Sequence, residues 1–170
     1  MPTRNAGLQI HDLNNYQNTT LIIFSLLMFI GASPSSVGGG IRTTTIAIIG
    51  LYLYSFLKNE NDINIFGRKI APEDVRKSVV VFMLSAGMCL FSILFLTATE
   101  DHSLISIIVE VTSAFGTTGL SLGITPDLSN TGKIMIAILM FIGRVGMLYT
   151  LMLFVPKETR DLGYEFPEEK

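Results

Sequence analysis

The sequence predicts an all-α membrane protein made of helix–pore-loop–helix repeats, in which one inner helix is broken. Of its 170 residues, 49% are hydrophobic and 15% are charged, and the charges lie between the apolar stretches. A turn rich in Thr and Gly, residues 112–121, separates an apolar segment too short to cross a bilayer from one that is long enough. Internal repeats of such a unit are typical of transporter folds.

The repeat is visible when the sequence is shifted on itself by 112 positions. Gly7-Leu8 then falls on Gly119-Leu120, and residues 27–31 fall on residues 139–143, both reading LMFIG, without a gap. Apolar helices resemble one another by composition, so the gapless register supports the repeat better than the LMFIG match alone. The chain therefore opens in one filter-like turn and reaches a second, and we expect it to be a piece of a longer protein.

Composition excludes several other classes. The formal net charge is −2 and no basic stripe is present, so we expect no nucleic-acid partner. The single cysteine, Cys89, offers neither a disulfide framework nor a cysteine metal site. We expect no resident cofactor and no enzymatic activity.

The first apolar region is interrupted. Residues 18–32 and 41–57 are apolar, but Ser33-Pro34 and the triple glycine Gly38-Gly39-Gly40 lie between them. Pro and Gly break helices, and neither piece is comfortably long enough to cross a bilayer alone. We therefore expect one broken helix whose irregular middle faces a cavity or neighbouring protein, as a hinge or gate does. An ordinary interhelical loop is the alternative.

The second half of the chain gives the topology. Residues 58–77 carry five Lys or Arg, which places this loop in the cytoplasm by the positive-inside rule. Residues 78–98 contain no charge and predict a membrane span, with helix-start signals at Pro72-Glu73-Asp74. Residues 133–155 predict a second, returning span, and the charged tail 157–170 lies inside again. His102-Ser103 is interpreted as a helix start, at an acidic outer rim.

Arg144 lies eleven residues into the second predicted span. A buried arginine at membrane depth is costly, which makes it a candidate functional residue. Two interpretations stay open: a structural salt bridge, for which Glu110 is the nearest candidate in the sequence, and a role lining a pore.

Four segments resemble the Trk/Ktr/HKT superfamily of potassium transporters, and most of all its Ktr-type membrane subunit. They are TRNAGL (3–8), GASPSSVGGGIRTTT (31–45), SAFGTTGLS (113–121) and FIGRVG (141–146). The resemblance implies four repeats around one pore, of which this chain supplies the end of the third and all of the fourth. It divides the chain into a third-repeat end (1–57), a cytoplasmic loop (58–77), a fourth repeat (78–156, filter 116–120) and a cytoplasmic tail (157–170).

The resemblance also implies roles for particular residues. The potassium filter falls on Asn5, Ala6 and Gly7 and on Thr117, Thr118 and Gly119. The intramembrane gating loop falls on residues 31–45 and includes Ser33, Pro34, Gly38, Gly39 and Gly40, and Arg144 is implied to be a barrier in the pore. Asn5, Leu8 and Arg42 depart from the usual family residues.

The implied function is translocation of monovalent cations, above all potassium uptake across the plasma membrane of a prokaryote, by a multi-pass protein. The implied partners are the bilayer, the missing N-terminal repeats of the same subunit, a second copy of the full-length subunit, and a cytoplasmic nucleotide-binding regulatory ring of the Ktr/Trk type. Sodium selectivity or coupling, or a truncated non-conducting subunit, are the alternatives. An intramembrane hydrolase using Ser36 or Ser113 would need His102 as its base, and a plain membrane anchor would not need two matched Gly-Thr turns.

Overall fold

The computed structural model describes residues 13, 16–31, 33, 38–58, 64–65, 68–69 and 71–146. The described chain is helical, which confirms the predicted class. Its helices are α1 (Asn18–Phe29), α2 (Thr43–Leu57), α3 (Pro72–Thr99), α4 (Leu104–Gly116) and α5 (Asn130–Val145), with a 3₁₀ turn at Thr125–Asp127. Two strands, β1 (Asn64–Ile65) and β2 (Arg68–Lys69), pair antiparallel in the charged loop between α2 and α3. No signal in the sequence predicts this short ladder.

Helix α3 begins where the sequence predicts a start and continues without interruption into the uncharged segment. Pro72 occupies the first turn, and Glu73 and Asp74 lie at the positive end of the helix dipole. With 28 residues the helix is about 42 Å long, at 1.5 Å per residue. Among the described residues it is the one helix long and apolar enough to cross a bilayer.

The short helix α4 lies at the centre of the bundle, where it packs against α1, α3 and α5. Every residue from Val109 to Gly116 is buried. Its N-cap is Ser103, whose side chain accepts a hydrogen bond from the Ser106 amide at 3.3 Å, so the helix-start interpretation of His102-Ser103 is confirmed. Phe29 of α1 packs between Phe115 of α4 and Phe82 of α3, with ring centroids 5.8 and 6.3 Å apart.

The buried face of helix α3 includes a repeat of serines, and several of its large apolar residues face outward. Ser78, Ser85 and Ser92 recur every seven residues on its buried face. Phe91 and Leu94, by contrast, are 61% and 62% exposed. Small residues at helix contacts and bulky apolar residues on the outside are the arrangement of membrane helices, and a water-soluble monomer rarely exposes such a surface.

The break between α1 and α2 has a defined geometry. Helix α1 ends at Phe29 and α2 begins at Thr43. The chain nevertheless returns to the point it left, because Ile30 and Ile41 form a parallel bridge and the Ile41 amide donates to the Phe29 carbonyl at 3.3 Å. We call residues 31–40 the interrupting loop. The two ends of this loop lie next to each other, and the chain runs in the same direction before and after it.

The second predicted span, residues 133–155, is described only as far as residue 146. Helix α5 begins earlier, at Asn130, and ends at Val145. Its last residue is followed by Gly146 with φ +87° and ψ +137°, a conformation that stops a helix and that residues with a Cβ rarely adopt. Arg144 consequently lies in the last turn of α5, where a cation is favoured by the helix dipole, and not in the middle of a helix.

Candidate functional site

The turn after α4 is a Schellman motif. Thr118 donates its amide to the Ser113 carbonyl at 2.9 Å, and Thr117 donates to the Ala114 carbonyl at 3.2 Å. The motif requires a left-handed residue, and that residue is Thr117, with φ +51° and ψ +38°. The left-handed conformation of Thr117 ends helix α4 and changes the direction of the chain before residues 118–121.

A left-handed threonine needs an explanation, because glycine usually occupies this position and a residue with a Cβ costs about 1–3 kcal/mol there. Thr117 is the one non-glycine residue with positive φ in the described part of the chain. Its hydroxyl oxygen accepts a hydrogen bond from the Gly39 amide at 2.8 Å. The side chain is thus needed to hold the interrupting loop, which a glycine could not do.

Four glycines bring backbone segments into direct contact around this hydrogen bond, and we call them the glycine cluster: Gly31, Gly39, Gly116 and Gly143. A Cβ on Gly143 would overlap the Phe115 carbonyl oxygen, and one on Gly116 would overlap the Met28 carbonyl oxygen. A Cβ on Gly39 would lie 2.8 Å from the Gly143 oxygen. The ends of α1, α4 and α5 therefore meet the interrupting loop with no room for side chains.

The backbone also bonds across this contact, since the Gly40 amide donates to the Gly143 carbonyl at 3.3 Å. Two of the residues implied to form a gate, Gly39 and Gly40, are thus joined to Thr117 of the implied filter and to α5. Of the other implied gate residues, Ser33 is exposed and Gly38 lines a nearby cavity, whereas Pro34 lies outside the described residues.

The implied filter is described on one side only. Gly119 has φ +80° and is exposed, so a Cβ there would be strained. Thr118 beside it is buried. The matching residues Asn5, Ala6 and Gly7 lie outside the described residues, so the meeting of the two turns stays a prediction.

Glu110 stabilises the segment that follows the turn after α4. This carboxylate is only 5% exposed. One of its oxygens accepts a hydrogen bond from the Ser121 hydroxyl at 2.8 Å, and the other accepts one from the Thr125 hydroxyl. Both oxygens are therefore engaged on this segment, and the salt bridge between Glu110 and Arg144, which the sequence left open, is not formed.

A second carboxylate joins α3 to α5 at the opposite end of α4 from the glycine cluster. Glu100, which caps the C-terminus of α3, accepts hydrogen bonds from the amide and the hydroxyl of Ser129. The Ser129 hydroxyl hydrogen bond lowers the pKa of Glu100, and His102 and Lys133 add to the effect. Ser129 in turn caps α5 by accepting from the Gly132 amide at 3.1 Å.

Arg144 borders a cavity of about 340 Å³ between the interrupting loop and α3. Arg42 at the start of α2 and Lys77 near the start of α3 line the same cavity. Its other described walls come from both polar and apolar residues: Gly38, Gly40, Ile41, Thr45, Val81, Ser85, Phe115, Gly143, Val145 and Gly146.

Sequence reasoning included Gly116 only as the first residue of the implied filter, residues 116–120, and gave Gly143 no role of its own. A signal for Gly143 was present, because the shift of 112 positions places it on Gly31, a residue of the implied gating loop. No sequence pattern marks Gly116 as a contact with α1, because that contact depends on how the helices pack.

The described helices, one of which is long and apolar enough to span a bilayer, are compatible with an all-α membrane protein. The family comparison makes the class specific. The chain belongs to the TrkH family, described as a cation transport protein, whose model matches residues 1–161. Members of this family are transporters rather than enzymes, so the superfamily resemblance and the expected absence of enzymatic activity are confirmed.

Similar proteins are found in several bacteria. The chain is 49% identical over 168 residues to the Ktr system potassium uptake protein D of Bacillus subtilis, covering 99% of this chain and 37% of the relative. It is 36% identical to the potassium/sodium uptake protein NtpJ of Enterococcus hirae, with 98% and 38% covered. It is 35% identical to the Ktr system potassium uptake protein B of B. subtilis, with 95% and 36% covered. The chain thus spans just over a third of the length of these relatives.

Proposed function

We propose that this chain forms part of a pathway for monovalent cations, most of all potassium, across the plasma membrane of a prokaryote. The observation that carries the proposal is the hydrogen bond from the Gly39 amide to the Thr117 hydroxyl, because it couples an interrupted helix directly to a Thr- and Gly-rich turn. Two of the relatives are named potassium uptake proteins, which supports potassium as the cation.

In this proposal the turn after α4 is one side of a selectivity filter. Backbone carbonyls of Thr117, Thr118 and Gly119, together with those of Asn5, Ala6 and Gly7 and of two further repeats, replace water around the ion. The left-handed conformations of Thr117 and Gly119 support it, since they reorient successive peptide groups within three residues. Glu110 supports the turn from behind through Ser121 and Thr125.

The interrupting loop is the proposed gate, and Arg144 is a barrier beside it. Helices α1 and α2 together make one membrane crossing, since each is too short alone and the chain keeps its direction across the loop. Opening then requires the loop to leave Thr117 and Gly143 without separating the two half-helices. The hydrogen bond to Thr117 stabilises the closed position.

The gate can be tested at Thr117 in the full-length protein. Thr117→Val keeps the shape of the side chain but removes the acceptor of the Gly39 amide, so we expect rubidium flux to rise several-fold. Thr117→Ser keeps the hydroxyl and should retain the original flux. Rubidium and sodium uptake by cells lacking other potassium systems measures both; equal flux in the two variants would show that the loop does not restrict the pathway.

The proposed topology places residues 58–77 and the tail 157–170 in the cytoplasm and residues 121–131 outside. In a Cys89→Ala background, cysteines at Asn61 and Ser129 should be labelled by a membrane-impermeant maleimide from opposite faces. Ser129 caps α5. Asn61 lies outside the described residues, and in this proposal the Lys and Arg residues of the 58–77 loop place it in the cytoplasm. Labelling of both from one face contradicts the two crossings with a re-entrant α4.

We also propose that the full-length subunit forms a homodimer and binds a cytoplasmic nucleotide-binding ring. The mixed charges of residues 58–77 and of the tail support such a contact. Replacing both segments by Gly/Ser linkers should abolish co-purification of the ring while the dimer persists. Unchanged co-purification would exclude these segments as the docking surface.

A second candidate is a sodium-selective or sodium-coupled transporter. The observation in its favour is the 36% identity to a relative named a potassium/sodium uptake protein. Uptake driven by an imposed sodium gradient distinguishes it, because a potassium pathway without coupling does not respond to that gradient. A truncated, non-conducting subunit is the outcome if the 170-residue chain takes up neither cation while the full-length protein does.

A further inference from the structure

We propose that the cavity beneath the interrupting loop is a binding site for a phosphate-type anion. The binding does not depend on the transport activity. Three basic residues from three different elements border the cavity: Arg42 from α2, Lys77 from α3 and Arg144 from α5. No Asp or Glu lies among its described lining residues. All three residues are exposed at the border of the cavity. An anion with several oxygens is the ligand that neighbouring guanidinium and ammonium groups bind best.

The N-terminus of α2 adds a second attraction for an anion. Arg42 is the N-cap of this 15-residue helix, and Ile41, Arg42 and Thr45 all border the cavity. The helix has no side-chain cap hydrogen bond and no acidic residue in its first turn. The positive end of the helix dipole is therefore not offset by a carboxylate, and it adds to the basic side chains.

A third observation comes from the interior wall. Ser85 of α3 is fully buried and lines the cavity, and its hydroxyl is the one buried side-chain polar atom in the described part of the chain without a hydrogen-bond partner. The buried serines Ser25 and Ser92, by contrast, each donate a hydrogen bond to the backbone carbonyl four residues earlier in their own helix. A buried hydroxyl without a partner at the wall of a basic cavity can donate to a ligand oxygen once its side chain rotates toward the cavity.

The size and lining of the cavity suit a phosphoryl group attached to a larger molecule. At about 340 Å³ it is large enough for more than an inorganic ion, and Val81, Phe115 and Val145 give it apolar walls. Lys77 forms an ion pair with Glu73: its Nζ lies 4.0 Å from the Glu73 Oε2, and both side chains are largely exposed. Such a surface pair is weak and does not prevent Lys77 from contacting a ligand.

The same chemistry is supplied by free phosphate or by an anionic lipid headgroup, and two titrations separate these sources. The purified full-length protein in uncharged detergent is titrated with inorganic phosphate, and a parallel titration with chloride at equal ionic strength is the reference. In parallel, micelles containing phosphatidylglycerol are compared with micelles containing only phosphatidylcholine. The apparent melting temperature is the readout. A rise in either titration supports the site and identifies the source; a rise in neither overturns it.

Variants then locate the binding. Arg42→Gln and Lys77→Gln should each weaken the apparent affinity about tenfold or more, because each removes a charge-assisted hydrogen bond. Arg76→Gln is the matched control, since Arg76 neighbours Lys77 in α3 but does not line the cavity. Equal weakening in Arg76→Gln would mean unspecific attraction and would overturn the proposal.

Ser85→Ala keeps the test decisive if a charge variant fails to fold. Without a ligand it should leave the melting temperature unchanged or raise it, because it removes a buried hydroxyl that lacks a partner. With the anion present it should lower the affinity severalfold. A merely structural role of Ser85 would give loss of stability without the ligand and unchanged affinity, and that result would contradict the assignment.

Discussion

Replacing Gly143 by alanine should destabilise the protein by about 3 kcal/mol or more, as severe overpacking does. The new Cβ would overlap the carbonyl oxygen of buried Phe115 in α4, a backbone atom that cannot rotate away. The Gly40 amide would also lose its bond to the Gly143 carbonyl if α5 moved outward. The apparent melting temperature in detergent and the monodisperse fraction on size exclusion measure the effect.

Two other helical glycines provide controls. A Cβ at Gly50 in α2 or at Gly87 in α3 would meet nothing within 4 Å. Gly50→Ala and Gly87→Ala should therefore stabilise their helices by about 0.5–1 kcal/mol. If Gly143→Ala behaved like these two, the close packing of α5 on α4 would be wrong.

Replacing Gly119 by serine in the full-length protein should abolish the preference for rubidium over sodium, or abolish high-affinity uptake, while the protein still reaches the membrane. With φ +80°, this residue turns its peptide group in a way that a serine resists. The carbonyls proposed to bind the ion would then be displaced. Uptake of both cations by cells lacking other potassium systems, together with membrane abundance, tests this.

Gly123 provides the matched control for backbone strain. It also has positive φ, at +89°, and lies four residues further along, outside the proposed filter. Gly123→Ser should lower stability by a similar amount but leave the preference between rubidium and sodium unchanged. Equal selectivity in Gly119→Ser and the unmodified protein would show that this turn is not the filter.

The helices were predictable where local chemistry decides them. Pro72 with its two acids begins α3, Ser103 begins α4, and the uncharged residues 78–98 form one uninterrupted helix. The break near Gly38–Gly40 follows in the same way from backbone freedom and lost donors. In each case the residues that decide the structure are neighbours in the sequence.

The contacts between elements were not predictable by this reasoning. That Thr117 is left-handed and accepts from Gly39 depends on two segments 78 residues apart in sequence. The end of α5 at Gly146 was missed because the apolar pattern continues through residues 147–155, and hydropathy does not report backbone conformation. Hydropathy accordingly places Arg144 at mid-span. Its pairing with Glu110 is prevented by contacts that the sequence does not reveal, the hydrogen bonds of Ser121 and Thr125 to that carboxylate.

The bridge between Ile30 and Ile41 also determines what a change in loop length costs. Because the two ends of the ten-residue interrupting loop already touch, an insertion adds only closure entropy. Doubling its length costs about 0.6 kcal/mol in that term. Insertions near exposed Ser33 should therefore be tolerated, whereas any that displace Gly39 or Gly40 should not. We therefore expect related sequences to vary in the length of the interrupting loop but to keep the spacing between Gly39 and Ile41.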